Sequence, residues 1–279
     1  MANHCIDSHH HLWAYSSQEY PWMTGEMEAI RRDFLVADLK AVMRESEIAG
    51  TVVVQARQSL IETDWLLGLS SATDLIRGVV GWVPLIDPGV HRQLERIAAH
   101  QKLKAVRHVL HDENDDYYML REDFNRGIAF LEEFNLRYDI LIFERHLPQT
   151  IEFVTRHPEV IFVVDHIAKP RIRDRSMSPW QENISELARR ENVYCKLSGV
   201  VTEANWSSWS ENDLQPYVAS ILESFGPRRV MFGSDWPVLL VASSYKRWVD
   251  TVRHMISSLS RDEQDRIMGG TAKEAYGLD

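Results

Sequence analysis

Only two cysteines, Cys5 and Cys195, occur in 279 residues, and both sit in apolar, strand-like surroundings. That count excludes a disulfide scaffold and leaves buried thiols in a reducing compartment as the expectation. No apolar run approaches the roughly 18 residues of a membrane span. The N-terminus lacks the basic and then apolar pattern of a signal peptide, so a cytoplasmic location is expected. Basic residues are in deficit, 31 against 41 acidic ones, for a net charge of −10. Nucleic acid and anionic membrane surfaces attract a positive field, so neither is an expected partner. No Gly-x-Gly-x-x-Gly turn follows the first strand-like run, which argues against an open dinucleotide-binding sheet. Linkers, repeats and low-complexity segments are missing too.

What is present is an alternation. Short β-rich runs fall at 5–9, 51–56, 78–85, 105–110, 138–143, 160–166, 193–197 and 229–233. Two of them, TVVVQA from Thr51 and IFVV from Ile161, are nearly unbroken apolar stretches. Strands of a parallel sheet covered on both faces read this way. Between the runs, apolar residues recur every three or four positions. Examples are Leu35, Leu39, Val42 and Met43; Phe124, Ile128, Leu131 and Phe134; and Val218, Ile221, Leu222 and Phe225. Gly50 and Gly226 stand where C-terminal helix caps are expected. Eight such units over this length predict an α/β fold, a single-domain (β/α)8 TIM barrel over 1–279. Two longer connections, 12–32 and 170–179, are candidate lids or passive cover.

In such barrels the chemistry lies at the C-terminal strand ends. The first run ends Asp7-Ser8-His9-His10-His11. Residues two apart on a strand share a face, so His9 and His11 should converge, with Asp7 beside them and Ser8 and His10 opposed. A purification tag would not sit inside Cys5-Ile6-Asp7-Ser8 and Leu12-Trp13. The other ends carry Gln55-Ala56-Arg57, Trp82, Arg107-His108, Glu144-Arg145-His146, Asp165-His166 with Lys169, Lys196 and Ser198, and Ser234-Asp235-Trp236-Pro237. Taken singly, His166 suits a core histidine and Asp235 a helix N-cap. Together with His9 and His11 they form a candidate ligand set, three imidazoles and a carboxylate, suited to Zn²⁺. Of Arg107 and His108, only one should face the barrel centre.

These residues carry a pattern. Ile6-Asp7-Ser8-His9-His10-His11 with Tyr20-Pro21-Trp22, then Val54-Gln55-Ala56-Arg57, Val80-Gly81-Trp82 and Val106-Arg107-His108 are one half of it. Phe143-Glu144-Arg145, Asp165-His166-Ile167-Ala168-Lys169-Pro170, Cys195-Lys196-Leu197-Ser198-Gly199 and Phe232-Gly233-Ser234-Asp235-Trp236-Pro237 are the other. The whole resembles the sugar-lactonase branch of the amidohydrolase superfamily, the L-fuconolactonases first and the L-rhamnonolactonases near by. That resemblance implies a TIM barrel that hydrolyses a small sugar lactone to its aldonic acid. The family's strand-1 histidine pair falls on His9 and His11, its strand-6 histidine on His166 and its strand-8 aspartate on Asp235.

Two departures bear on metal. Strand 4 ends in Arg107-His108 instead of a carboxylated lysine, with Lys104 too early to replace it. Strand 5 offers no histidine at its tip, because His146 lies three residues beyond Phe143. One divalent ion is therefore expected in place of two, Zn²⁺ for preference. Asp235 is the expected general base, with His166 beside it, on a water held by His9, His11 and His166. A metal-free route, with the histidine pair and Arg107 polarising the carbonyl, is the alternative. Gln55, Arg57, Trp82, Arg107, His108 and Trp236 are the expected substrate contacts. The rival readings are decarboxylation or ring opening of an aromatic-derived acid on this scaffold, and a non-catalytic sugar-acid binding protein. Monomer and homo-oligomer fit the composition equally.

Overall fold

Apolar, β-branched runs such as Val52-Val53-Val54 form strands buried on both faces, and each is followed by a helix whose apolar stripe covers it. The computed structural model describes residues 5–279. Its strands are β1 (Ile6–His10), β2 (Gly50–Val54), β3 (Ile76–Gly81), β4 (Leu103–Val109), β5 (Arg137–Leu141), β6 (Phe162–Val164), β7 (Val193–Leu197) and β8 (Val230–Phe232). They pair in parallel in sequence order. The helices that follow them are α1 (Val36–Ser46), α2 (Leu60–Ser71), α3 (Val90–Ala98), α4 (Glu122–Glu133), α5 (Leu147–Thr155), α6 (Trp180–Leu187), α7 (Glu211–Phe225) and α8 (Tyr245–Met255). The short α9 (Arg261–Asp265) and α10 (Thr271–Tyr276) come last. The predicted (β/α)8 barrel is the observed one.

The seam between β8 and β1 is closed just beyond the strand ends. Asp235 N–H donates to His9 O at 2.7 Å and His11 N–H to Trp236 O at 2.6 Å. Ser8 Oγ donates to Phe232 O at 2.6 Å. Two apolar cores result. The larger lies between strands and helices, with edge-on rings of Phe124, Tyr138, Phe153 and Phe162 among its members. The smaller fills the barrel with Ile6, Val52, Val54, Val80, Ala105, Val163 and Met231, and α10 plugs it through Ala272, Ala275 and Tyr276. Among the described residues no helix is long and apolar enough to cross a membrane.

Three local expectations need correction. Gly50 does not cap α1; Glu47 does, at φ 58°, and Gly50 opens β2, where a Cβ would lie 2.8 Å from Arg77 Cγ. Gly226 does cap α7, at φ 67°. Trp82 lies beyond the end of β3. Asp7 turns its carboxylate away from the His9 imidazole and meets His9 only at the main-chain N–H, at 3.1 Å, with the β1–β2 register shifting between Asp7 and His10. An irregularity of this kind breaks strict alternation. Asp7 instead accepts from Ser234 N (2.8 Å), Ser234 Oγ (2.6 Å) and Tyr245 Oη of α8 (2.9 Å).

Candidate functional site

The closed seam brings the two ends of the chain's chemistry together. Asp235 Oδ1 lies 3.3 Å from His11 Nε2, 3.7 Å from His9 Nε2 and 3.9 Å from His166 Nε2. His9 Nε2 and His11 Nε2 are 3.2 Å apart. All four residues are buried. Gly233 permits this approach, since a Cβ there would meet His9 Cβ at 2.8 Å and Ser198 Cβ at 2.9 Å.

The outer nitrogens decide what the inner ones can do. His11 Nδ1 is 2.8 Å from Val54 O, a carbonyl that can only accept, so Nδ1 carries the proton. His9 Nδ1 faces Asp165 Oδ1 at 3.2 Å and His166 Nδ1 faces Ser198 Oγ at 3.0 Å. The Lys196 ammonium, a donor only, lies at the same 3.2 Å from His9 Nδ1, and the Ser198 hydroxyl can donate or accept, so of the three only the His11 tautomer is fixed by its partner. Three Nε2 atoms and one carboxylate oxygen nevertheless gather at one place. Such a cluster calls for positive charge at its centre. Tetrahedral zinc, with bonds of about 2.0–2.1 Å, needs ligand atoms about 3.3–3.4 Å apart, and those of His9, His11 and Asp235 lie 3.2–3.7 Å apart. These three fit a single ion of that size, and His166 Nε2 approaches the same carboxylate oxygen at 3.9 Å.

Beneath the imidazoles runs a buried ladder of charge. Asp165 accepts from Arg107 Nη1 at 2.9 Å and lies 3.0 Å from Lys196 Nζ. Lys196 also donates to Asp139 Oδ2 at 2.5 Å, and Tyr276 Oη of α10 donates to the same carboxylate. Burial would raise the Asp165 carboxyl, but Lys196, His9 and Arg107 together hold it well below the usual carboxylate range. Burial pushes Asp139 up to about 6 against the pull of Lys196. For Asp235, burial is outweighed by His166, His11 and Lys169, which hold it below its ordinary value. Burial holds the imidazoles of His9 and His166 well below theirs.

Above the imidazoles opens a cavity of about 800 Å³. One part of its wall is ionisable, with Arg57, Arg107, His111, Lys169, Glu203 and Asp235. Another is apolar, with Trp22, Met27, Trp206, Val238 and Val241. His11, His166, Asp235, Arg57 and Arg107 reach the cavity as expected, and His9 sits just behind. Gln55, Trp82, His108 and Trp236 do not line it. Gln55 braces Arg107 instead, accepting from Nη2 at 2.5 Å through its main-chain oxygen. His108 points outward, bonded to Glu113 at 2.6 Å and stacked on Tyr118, and Trp82 Nε1 donates to it. Trp236 is packed edge-on against Phe34. Arg57 is tied to Glu19 and Glu62.

Sequence reasoning assigned no role to Asp165, Lys196, His111 or Glu203. Asp165 was readable in principle, because a carboxylate next to a candidate ligand histidine is a common partner of another imidazole. His10, as expected, turns away from the pair, toward Thr51 Oγ1 at 3.0 Å.

A family model described as Amidohydrolase matches residues 6–278. The chain belongs to the amidohydrolase family. Within it, this amidohydrolase is 39% identical over 286 residues to an L-fucono-1,5-lactonase of Burkholderia multivorans, covering 98% of this chain and 96% of the relative. A second L-fucono-1,5-lactonase, from Burkholderia ambifaria, is 34% identical with the same coverage. A crystal structure of a Burkholderia multivorans amidohydrolase with bound Zn superposes with a TM-score of 0.95 at 38% identity, covering 99% of both chains.

Proposed function

We propose that this enzyme hydrolyses a sugar lactone to its aldonic acid, with L-fucono-1,5-lactone the first candidate. The observation that carries the reading is the Asp235 carboxylate set among three imidazole nitrogens at the floor of the cavity. The two lactonase relatives support it.

Asp235 takes a proton from the attacking water, whose oxygen adds to the lactone carbonyl carbon. The bond from that carbon to the ring oxygen then breaks. Asp235 returns the proton to the departing alkoxide, and the product leaves as a hydroxy acid. Arg107, clamped by Asp165 and Gln55, is fixed where it polarises the carbonyl without reorganising. His9, His11 and Asp235, with His166 beside them, would hold a divalent ion, Zn²⁺ for preference, which when bound would lower the pKa of a water to about 7. The depressed Asp235 carboxyl is a weak base, and an activated ester is the class of substrate for which a weak base suffices. The ionisable wall faces the polar rim of a sugar ring, and the apolar wall faces its C–H surface.

The test is a pH-indicator screen of L- and D-aldonolactones with and without added Zn²⁺. Acid release from L-fucono-1,5-lactone or a close stereoisomer is expected. A hydroxyl-stripped lactone turned over equally fast would remove the sugar from the reading, because a site that binds hydroxyls rejects analogues lacking them. No acid from any lactone, with CO₂ released from an aromatic acid, would replace it.

A further inference from the structure

Residues 166–169 form a left-handed turn, with φ of 54° at His166, 50° at Ile167, 61° at Ala168 and 47° at Lys169. None is glycine. A Cβ disfavours this region, and several such residues in a row persist only where the surroundings impose them. Here Ile167 and Ala168 are wholly buried, and Trp180 Nε1 donates to Ile167 O at 2.8 Å. The turn carries His166 and Lys169 to the same cavity, where both side chains line the wall.

The Lys169 ammonium lies 2.9 Å from Glu203 Oε1 and 5.9 Å from the centre of the Phe143 ring. Of the cavity's cations, Arg57 is paired with two carboxylates and Arg107 with Asp165 and the Gln55 carbonyl, and the Nε that each leaves without a hydrogen bond is buried. Among the described residues Lys169 has one hydrogen-bond partner, Glu203, for three N–H groups. Lactone hydrolysis turns a neutral substrate into a carboxylate, within a wall that already carries Glu19, Asp112, Glu203 and Asp235. That new charge needs a cation with donors to offer.

We propose that Lys169 binds the carboxylate that hydrolysis creates, and that Glu203 competes for it so that the product is released. The proposal rests on the lactone-hydrolysis reading. Before reaction Glu203 holds the ammonium in place. As negative charge grows on the substrate, Lys169 shares its remaining donors with it, and Glu203 limits how tightly the product is held.

The test compares the wild type with Lys169→Gln, Lys169→Arg and Glu203→Gln. Binding of sodium L-fuconate is measured by calorimetry and as inhibition of turnover, beside kcat and KM for the lactone. Loss of a charge-assisted contact should weaken L-fuconate about tenfold or more in Lys169→Gln. The same variant should lower kcat more than it raises KM, and Lys169→Arg should restore most of both. Glu203→Gln should tighten L-fuconate several-fold. Unchanged L-fuconate affinity in Lys169→Gln overturns the proposal, as does equal impairment in the Gln and Arg variants with a lowered thermal midpoint. A wild type inert toward all lactones, whose L-fuconate binding still depends on Lys169, would sink the reaction and keep the anion site.

Discussion

Asp235 donates its main-chain N–H to the main-chain carbonyl of His9 at 2.7 Å. The acid and the first imidazole are therefore neighbours across the seam that closes the barrel, held by the same hydrogen bonding that holds the sheet. The spacing of the site is a property of the fold, with no flexible loop between its two halves.

Because that main-chain bond does not involve the carboxylate, Asp235→Asn should fold normally. Its kcat should fall by at least about 10², the low end of what a general base contributes. Lactone turnover and the thermal midpoint, measured on one preparation, check this. Near-normal turnover would assign the base elsewhere.

Asp165 fixes the His9 ring and Arg107 at once. Asp165→Asn should weaken Zn²⁺ binding about 10- to 100-fold, as loss of an outer partner to a ligand histidine generally does. Competition against a chromogenic chelator reads the affinity directly. An unchanged value would mean that the His9 tautomer is set without the carboxylate.

Stability should fall as pH drops below about 6.5. Burial holds His10 at about 3, and burial with Lys169 and Arg107 holds His111 at about 3. Both are neutral when folded and protonate when unfolded between these values. The unfolded chain then binds more protons, so their contribution is complete above 6.5 and lost toward pH 3. Each adds a slope of up to about 1.4 kcal/mol per pH unit. Asp7 and Asp139, each raised to about 6 by burial, act oppositely, their contribution being lost as pH rises through 6. The buried His9 and His166, held well below their ordinary value, tip the balance back to the histidines. Urea midpoints from pH 7 to pH 4.5 should decline, and His111→Gln should decline less steeply.

Gly199 has φ 60°, and a Cβ there would lie 2.4 Å from His166 Nδ1. Gly199→Ala should cost about 1–3 kcal/mol and displace the imidazole, lowering turnover as well. Gly25→Ala, with nothing within 4 Å of its new methyl, is the control expected to do neither. Equal behaviour of the two in urea unfolding would contradict the packing described at His166.

Apolar runs and helical spacing were legible because burial imposes them, and so were the strand order and the meeting of His9, His11, His166 and Asp235. What was not legible lies where a local irregularity changes which way a side chain points. The register shift after Asp7 turned an expected site residue toward α8. Asp165 and His166 are adjacent, so a regular strand would send them to opposite faces. Both reach the site, because His166 adopts φ 54°. Lys196 read as a strand-end polar group, yet it is wholly buried between Asp139 and Asp165. Trp82 and Trp236 were expected substrate contacts because they stand at strand ends. Only coordinates separate an indole that lines a cavity from one that packs behind it.

The seam and the α10 plug also bear on how the protein is made. His9 is synthesised well before the residues that complete its surroundings. Asp7 and Ser234 are 227 positions apart, and Tyr276 anchors Asp139 from 137 positions further along the chain. A nascent chain halted before β8 would carry a histidine pair with no aspartate to oppose it and an open tube with no stopper. Competence for chemistry must therefore wait until β8 has joined β1 and α10 has docked.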